Sequence, residues 1–134
     1  MKLGEALYKQ LSTATLTTQL GSTAIYPVIA PQGKALPYVT YSQISETRIH
    51  AMTADPGIQQ TRYQISSWSS DYAQVKLLGD KVRAVLQDFS GSLGGSVGVQ
   101  RIFFDNEVDL SEIDSQTKRP TYQIAQDYII WYST

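Results

Sequence analysis

A chain of 134 residues is the usual size of one domain and is long enough to bury a core, so a single domain over residues 1–134 is expected. Its 11 lysines and arginines nearly balance 12 aspartates and glutamates, and the net charge of -1 offers no basic field for nucleic acid or an anionic membrane surface. The absence of cysteine excludes a disulfide framework and a thiolate metal site, and suits a protein matured in a reducing cytosol.

The start, MKLGE, runs into mixed polar sequence rather than an apolar core with a small-residue cleavage site, so no signal peptide is expected. No run approaches the roughly 20 apolar residues of a membrane span. Leu3, Leu7, Leu11 and Ala14 recur at spacings of four and three, predicting a first helix to about Leu20 that Gly21 ends. Residues 24–30 read as a short strand. Pro31, Gly33 and Pro37 interrupt the chain before the alternating residues 38–44 form a longer one, because proline gives no ladder donor and glycine allows positive φ.

A loop over residues 51–59, carrying Asp55-Pro56-Gly57, precedes a strand at 61–68 in which Tyr63, Ile65 and Ser67 alternate with Arg62, Gln64, Ser66 and Trp68. Ser70 or Asp71 then caps a second helix, with Gln74 in capping-box position three residues past Asp71. Val75, Leu78, Val82, Val85, Leu86 and Phe89 form the clearest apolar stripe of the chain. The glycine-rich residues 90–96 precede a strand instead of opening a helix, so they read as a turn and not as a phosphate loop. A strand at 97–104, an acidic loop at 105–114 and a final strand at 121–132 complete the order α-β-β-β-α-β-β. The expected fold is α+β, two helices packed on a mostly antiparallel sheet.

Little in this inventory carries chemistry. His50 is the only histidine, with no second histidine or cysteine to share a metal, and it reads as a solvated polar residue. Asp105, Glu107, Asp109 and Glu112 resemble a calcium loop, but the glycine at the sixth position is missing and Gln116 stands where the terminal glutamate belongs. No cofactor or metal is expected. Tyr63, Tyr122, Tyr128, Tyr132, Trp68 and Trp131 could stack bases, yet their strands carry only Arg62 as a cation, so core or subunit interface is the more economical reading. On the last strand Ile124, Tyr128, Ile130 and Tyr132 fall on one face while Ile129 and Trp131 fall on the other. Two helices cover one face of such a sheet. Ile129 and Trp131 are therefore candidate subunit-interface residues.

The chain as a whole resembles the small tail-completion, or tail-terminator, proteins of long-tailed phages and prophages, also described as head-to-tail joining proteins. The resemblance runs through an amphipathic first helix, Ile25-Tyr26-Pro27, Ala30-Pro31-Gln32-Gly33, Leu36-Pro37-Tyr38-Val39-Thr40-Tyr41, Arg62-Tyr63-Gln64-Ile65 leading to Trp68, the helix with Ala73 and Lys81-Val82-Arg83, and a closing Ile130-Trp131-Tyr132. It implies a structural role without catalysis, in a ring usually of six subunits that caps the finished tail tube and receives the head connector at the head-tail junction of the virion, after assembly in the host cytoplasm. Other small head-to-tail proteins, such as head-closure subunits or tail adaptors, remain an alternative, with a small cytosolic enzyme or nucleic-acid module less well supported. Separate rings must recognise one another without refolding, so partner contacts are expected on loops, with His50, Asp55, Asp105, Glu107, Asp109 and Glu112 as candidates.

Overall fold

The computed structural model describes residues 3–12, 25–28, 37–48, 58–93, 97–113 and 120–133. The leucine spacing of the first segment forms helix α1 (Leu3–Leu11), which buries Leu3, Ala6, Leu7 and Leu11 along one stripe. Ala14, Leu20 and Gly21, the expected continuation and end of that helix, lie outside the described residues.

Strand β1 (Ile25–Pro27) pairs parallel with β2 (Tyr38–Arg48), and β2 pairs antiparallel with β3 (Ile58–Ser69). Proline ends β1 because it has no N–H to continue the ladder. The next residue, Val28, takes a φ of 62°, a rare conformation for a β-branched side chain, and its N–H donates to the Tyr41 carbonyl at 2.7 Å. Helix α2 (Tyr72–Leu86) follows, then β4 (Gly91–Leu93), β5 (Val97–Ile113) and β6 (Pro120–Ser133). The sheet order is β1-β2-β3-β6-β5-β4, antiparallel except for β1 with β2. This is the expected α+β arrangement with one short strand added at an edge.

Three local expectations need correction. The turn read over 90–96 contains β4, which pairs Gly91, Ser92 and Leu93 with Val99, Gly98 and Val97. The 51–59 loop is shorter than expected, since Ile58 and Gln59 already belong to β3. Most consequentially, the acidic loop expected from Asp105 is not a loop. Strand β5 continues to Ile113, with Asn106 to Ile113 all in register with β6. A ladder partner on its full length and internal partners for its carboxylates, described below, outweigh the local preference of acidic sequence for solvent.

Helix α2 packs on β3, β5 and β6, whereas α1 touches β1, β4 and α2. Because β1 and β4 are the two edge strands, their contact with one short helix means that the sheet curls around the helices. The concave side is the core. There Val39, Ile65, Ile102, Tyr128 and Ile130 meet Leu7, Leu11, Leu78, Val82 and Leu86, all at 0% exposure. Val85 and Phe89, also in the expected stripe, are partly buried against this cluster.

Polar groups fix how α2 sits. Gln126, buried on β6, donates from Nε2 to the Gly79 carbonyl at 3.1 Å and accepts from the Tyr128 hydroxyl at 3.1 Å. Gly79 permits this approach, since a Cβ there would lie 3.3 Å from Gln126 Nε2. Burial pushes the Tyr128 hydroxyl far above its ordinary pKa, so it remains a hydrogen-bond donor. At the helix start Asp71 accepts from the Ala73 N–H at 3.1 Å. Gln74 does not reach the Asp71 backbone directly. The Asp71 N–H donates to Ser69 Oγ at 3.1 Å, and that hydroxyl donates to Gln74 Oε1 at 2.5 Å, so the capping box closes through a buried serine. Asp71→Ala is expected to destabilise the domain by about 0.5–2 kcal/mol, measurable as a lower denaturation midpoint with an unchanged m-value.

Candidate functional site

Side chains alternate across each strand, so the residues between the core positions form the convex outer face. At the β1 side, Tyr38 stacks on Trp68 with ring centroids 5.9 Å apart, and Tyr26 meets Tyr38 edge-on at 6.5 Å. Trp68 Nε1–H donates to Thr40 Oγ1 at 3.3 Å. In the centre, Arg62 Nη1 lies 2.6 Å from Asp105 Oδ2 and 3.4 Å from Asp127 Oδ2, while Gln64 donates to Asp127 Oδ1 at 3.3 Å. Toward β5 the face becomes apolar. Phe103 is paired with Ile129, Arg101 with Trp131 and Val108 with Ala125. Phe103, Val108 and Leu110 are 46%, 43% and 48% exposed, whereas Ile129 and Trp131 are half-buried.

A bulge between Phe104 and Asn106 creates part of this surface. One extra residue, Asp105, inverts the alternation beyond it. Glu107 and Asp109 consequently turn toward α2, and Val108 and Leu110 turn outward. The two acids find partners there: Lys76 Nζ lies 3.0 Å from Asp109 Oδ1 and 3.8 Å from Glu107 Oε2, the Tyr72 hydroxyl donates to Asp109 Oδ2 at 2.8 Å, and Gln126 Nε2 donates to Glu107 Oε1 at 2.8 Å. The hydrogen bonds from Tyr72 and then Lys76 hold the Asp109 carboxyl below its ordinary pKa.

The sheet also has two far ends. Residues 49–57 connect β2 to β3 beside the Arg48–Gln59 pair, and residues 114–119 connect β5 to β6 beside the Ile113–Pro120 pair. Strand β6 starts at the second connection and ends opposite Ile58 at the first. A strand rises about 3.3 Å per residue, so the 14 residues of β6 separate these ends by roughly 40 Å.

The sequence candidates therefore scatter. His50 and Asp55 lie outside the described residues. Asp105, Glu107 and Asp109 sit on a strand with partners inside the subunit, and Glu112 is in the ladder opposite Thr121. Ile129 and Trp131 occupy the outer face. Of the aromatic residues considered as a stacking platform, Tyr63, Tyr128 and Tyr132 are core, Trp68 and Trp131 are on the outer face, and Tyr122 packs edge-on against Tyr72. Val108 and Leu110 were missed because 105–114 read as a loop, and Phe103 because the expected strand ended at the next residue and left it no apolar neighbours beyond. Among the described residues no group of three or more histidine or acidic side chains could hold a metal ion, and no helix is long and apolar enough to cross a membrane.

An outer face with exposed apolar side chains and a sheet with two distant ends are suited to contacts with other proteins. The family model for tail completion protein gp17 matches residues 5–133. The chain belongs to this tail completion family. Its family is one of structural phage tail proteins and not of enzymes. Among solved structures, a chain from the virion of a native gene transfer agent particle superimposes with a TM-score of 0.70 at 19% identity, covering 98% of this chain and 95% of the other. At that identity the likeness establishes a shared fold. No curated protein matches the chain.

Proposed function

We propose that this tail completion protein forms a closed homo-oligomeric ring, a hexamer, that caps the finished tail tube and presents the surface on which the head connector or head-closure protein docks. The observation that carries the reading is the pair of sheet ends roughly 40 Å apart on one subunit, set beside the family match over residues 5–133. A ring between two other rings needs three surfaces, one lateral and two axial. The outer face, with Ile129 and Trp131, supplies the lateral one. The two hairpin ends supply the axial ones, His50 and Asp55 in one connection and Glu112 beside the other. Asp105, Glu107 and Asp109 act behind the second end, where they hold β5 in place. On this reading the protein sits in the particle at the head-tail junction, reached after assembly in the cytoplasm; the gene transfer agent neighbour, a chain of a virion, supports the place in a particle.

Identical subunits meeting head-to-tail close into a ring when the rotation permits. Light scattering together with electron microscopy of the purified protein, alone and mixed with tail tubes, is expected to show closed rings or decoration of tube ends. A protein that stays monomeric and never localises to tail ends would sink the reading. Shortening residues 51–57, and separately replacing Glu112 with lysine, is expected to leave the melting temperature intact while free heads and free tails accumulate. Decoration of the head side of the connector instead would favour the head-closure alternative.

A further inference from the structure

The β5 segment beyond its bulge has an inverted pattern. Without Asp105 in a bulge, the alternation that turns Phe104 to the helix side would also turn Val108 and Leu110 there, against Ile124 and Tyr122, and would turn Glu107 and Asp109 outward, as ordinary amphipathic strands do. The observed register instead leaves Val108 43% and Leu110 48% exposed and directs two carboxylates to the helix side. What opposes the apolar preference is a small set of polar contacts. Lys76 and Tyr72 hold Asp109, Lys76 and Gln126 hold Glu107, and Arg62 holds the bulged Asp105. All three ion pairs are between partly exposed groups, whose attraction is small and screened by salt.

We propose that the β5 strand beyond Phe104 is a two-register switch, in which a one-residue slip absorbs the Asp105 bulge, turns Val108 and Leu110 to the helix side, and turns Glu107 and Asp109 to the outer face.

The slipped ladder is chemically complete. Asp105 on β5 would stand opposite Asp127 on β6 in place of Asn106, and Arg62, which already contacts both carboxylates, would separate their charges. Asn106 would replace Glu107 opposite Gln126, offering an amide oxygen to the Nε2 that now donates to Glu107. Val108 would stand opposite Ile124 and Leu110 opposite Tyr122, both on the helix side. The extra residue passes into the connection to β6, so no other pairing changes. The two registers thus differ in which surface the subunit shows: an apolar outer strip in the observed state, an acidic one after the slip. Lys76 is the positioning residue that biases the equilibrium, since it is the one cation among the described residues that contacts both inward acids.

The natural chain lacks cysteine, so engineered pairs report register without background. Ala125 faces outward in both registers, but its ladder partner is Val108 in the observed register and Glu107 after the slip. A disulfide requires Cβ atoms about 4 Å apart and facing each other, so each pair closes in one register alone. The experiment compares the oxidation rates of the Val108→Cys/Ala125→Cys and Glu107→Cys/Ala125→Cys full-length chains. Each is then repeated with Lys76→Met, with Lys76→Arg, and at high salt. The second pair is expected to cross-link measurably. Its yield relative to the first should rise about two- to fivefold with Lys76→Met or high salt, and Lys76→Arg should restore the original ratio. Circular dichroism of the reduced chains checks that all of them fold. Cross-linking of the Val108 pair alone in every folded variant overturns the proposal, as does a ratio that ignores both Lys76→Met and salt. Should the Glu107 pair fail to fold, Leu110→Cys/Gln123→Cys against Asp109→Cys/Gln123→Cys reads the same two registers one outer-face position further along, with the same deciding outcomes.

Discussion

Leu86→Ala is expected to lower the unfolding free energy by about 2–5 kcal/mol, a large part of the total stability of an ordinary domain. Leu86 is the last residue of α2, and its side chain has 0% exposure within the cluster that joins both helices to the sheet. Truncation removes the transfer energy of the lost carbons and leaves a cavity that cannot collapse freely. The helix is held at this end by the C-cap, where the Gln87 N–H donates to the Arg83 carbonyl at 2.8 Å, and beyond it by the Asp88 N–H bonded to the Ile102 carbonyl at 2.9 Å. At its middle it is held by the bond from Gln126 to Gly79. Those anchors keep the void open. Chemical denaturation should show a lower midpoint at an unchanged m-value, while Leu77→Ala, on the exposed side of the same helix, changes little. Equal midpoints for the two variants would show that α2 presents a different face to the sheet.

The same helix shows what a sequence can and cannot reveal. Its apolar stripe and its Asp71 cap are local patterns with a period of one turn, and they were readable without any structure. So was the alternation of β3 and β6, which separated Ile129 and Trp131 from Tyr128 and Ile130. The β5 strand was not readable beyond Phe104, for a reason that lies elsewhere in the chain. Asp105, Glu107 and Asp109 look like a hydrated loop because nothing nearby in sequence neutralises them. Their partners, Arg62 on β3 and Lys76 and Tyr72 on α2, stand 31 to 43 residues earlier, apart from Gln126 on the neighbouring strand. A bulge compounds the difficulty, since it shifts the phase on which alternation arguments rest. Once β5 was taken to end at Phe104, Phe103, Val108 and Leu110 could not be seen as one outer surface. The three-residue β4 gave no period at all.

That surface leads to the second large effect. Trp131→Asp and Phe103→Asp are each expected to abolish assembly of the proposed ring while leaving the subunit folded. Both side chains lie on the convex face, Phe103 46% exposed and Trp131 half-buried, so a carboxylate at either site can be hydrated in the free subunit. Within a contact between subunits the same charge would be buried without a partner, because Arg62 and Arg101, the cations nearest in the ladder, already engage Asp105 and Asp88. Central aromatic residues of interfaces lose about 2 kcal/mol or more on truncation, and an unpaired buried charge adds to that loss at every junction of the ring. Arg101 also lies over the Phe103 ring at 6.0 Å, so Phe103→Leu, which keeps the apolar bulk but removes the ring, should weaken assembly less than Phe103→Asp. Sedimentation at matched concentration measures the loss, and thermal melting of the same samples checks the fold. Rings of normal stability from Trp131→Asp would move the lateral contact off this face. A collapsed melting temperature would instead show that Trp131 supports the subunit's own sheet, and Phe103→Asp, at the more exposed site, would then decide between the two.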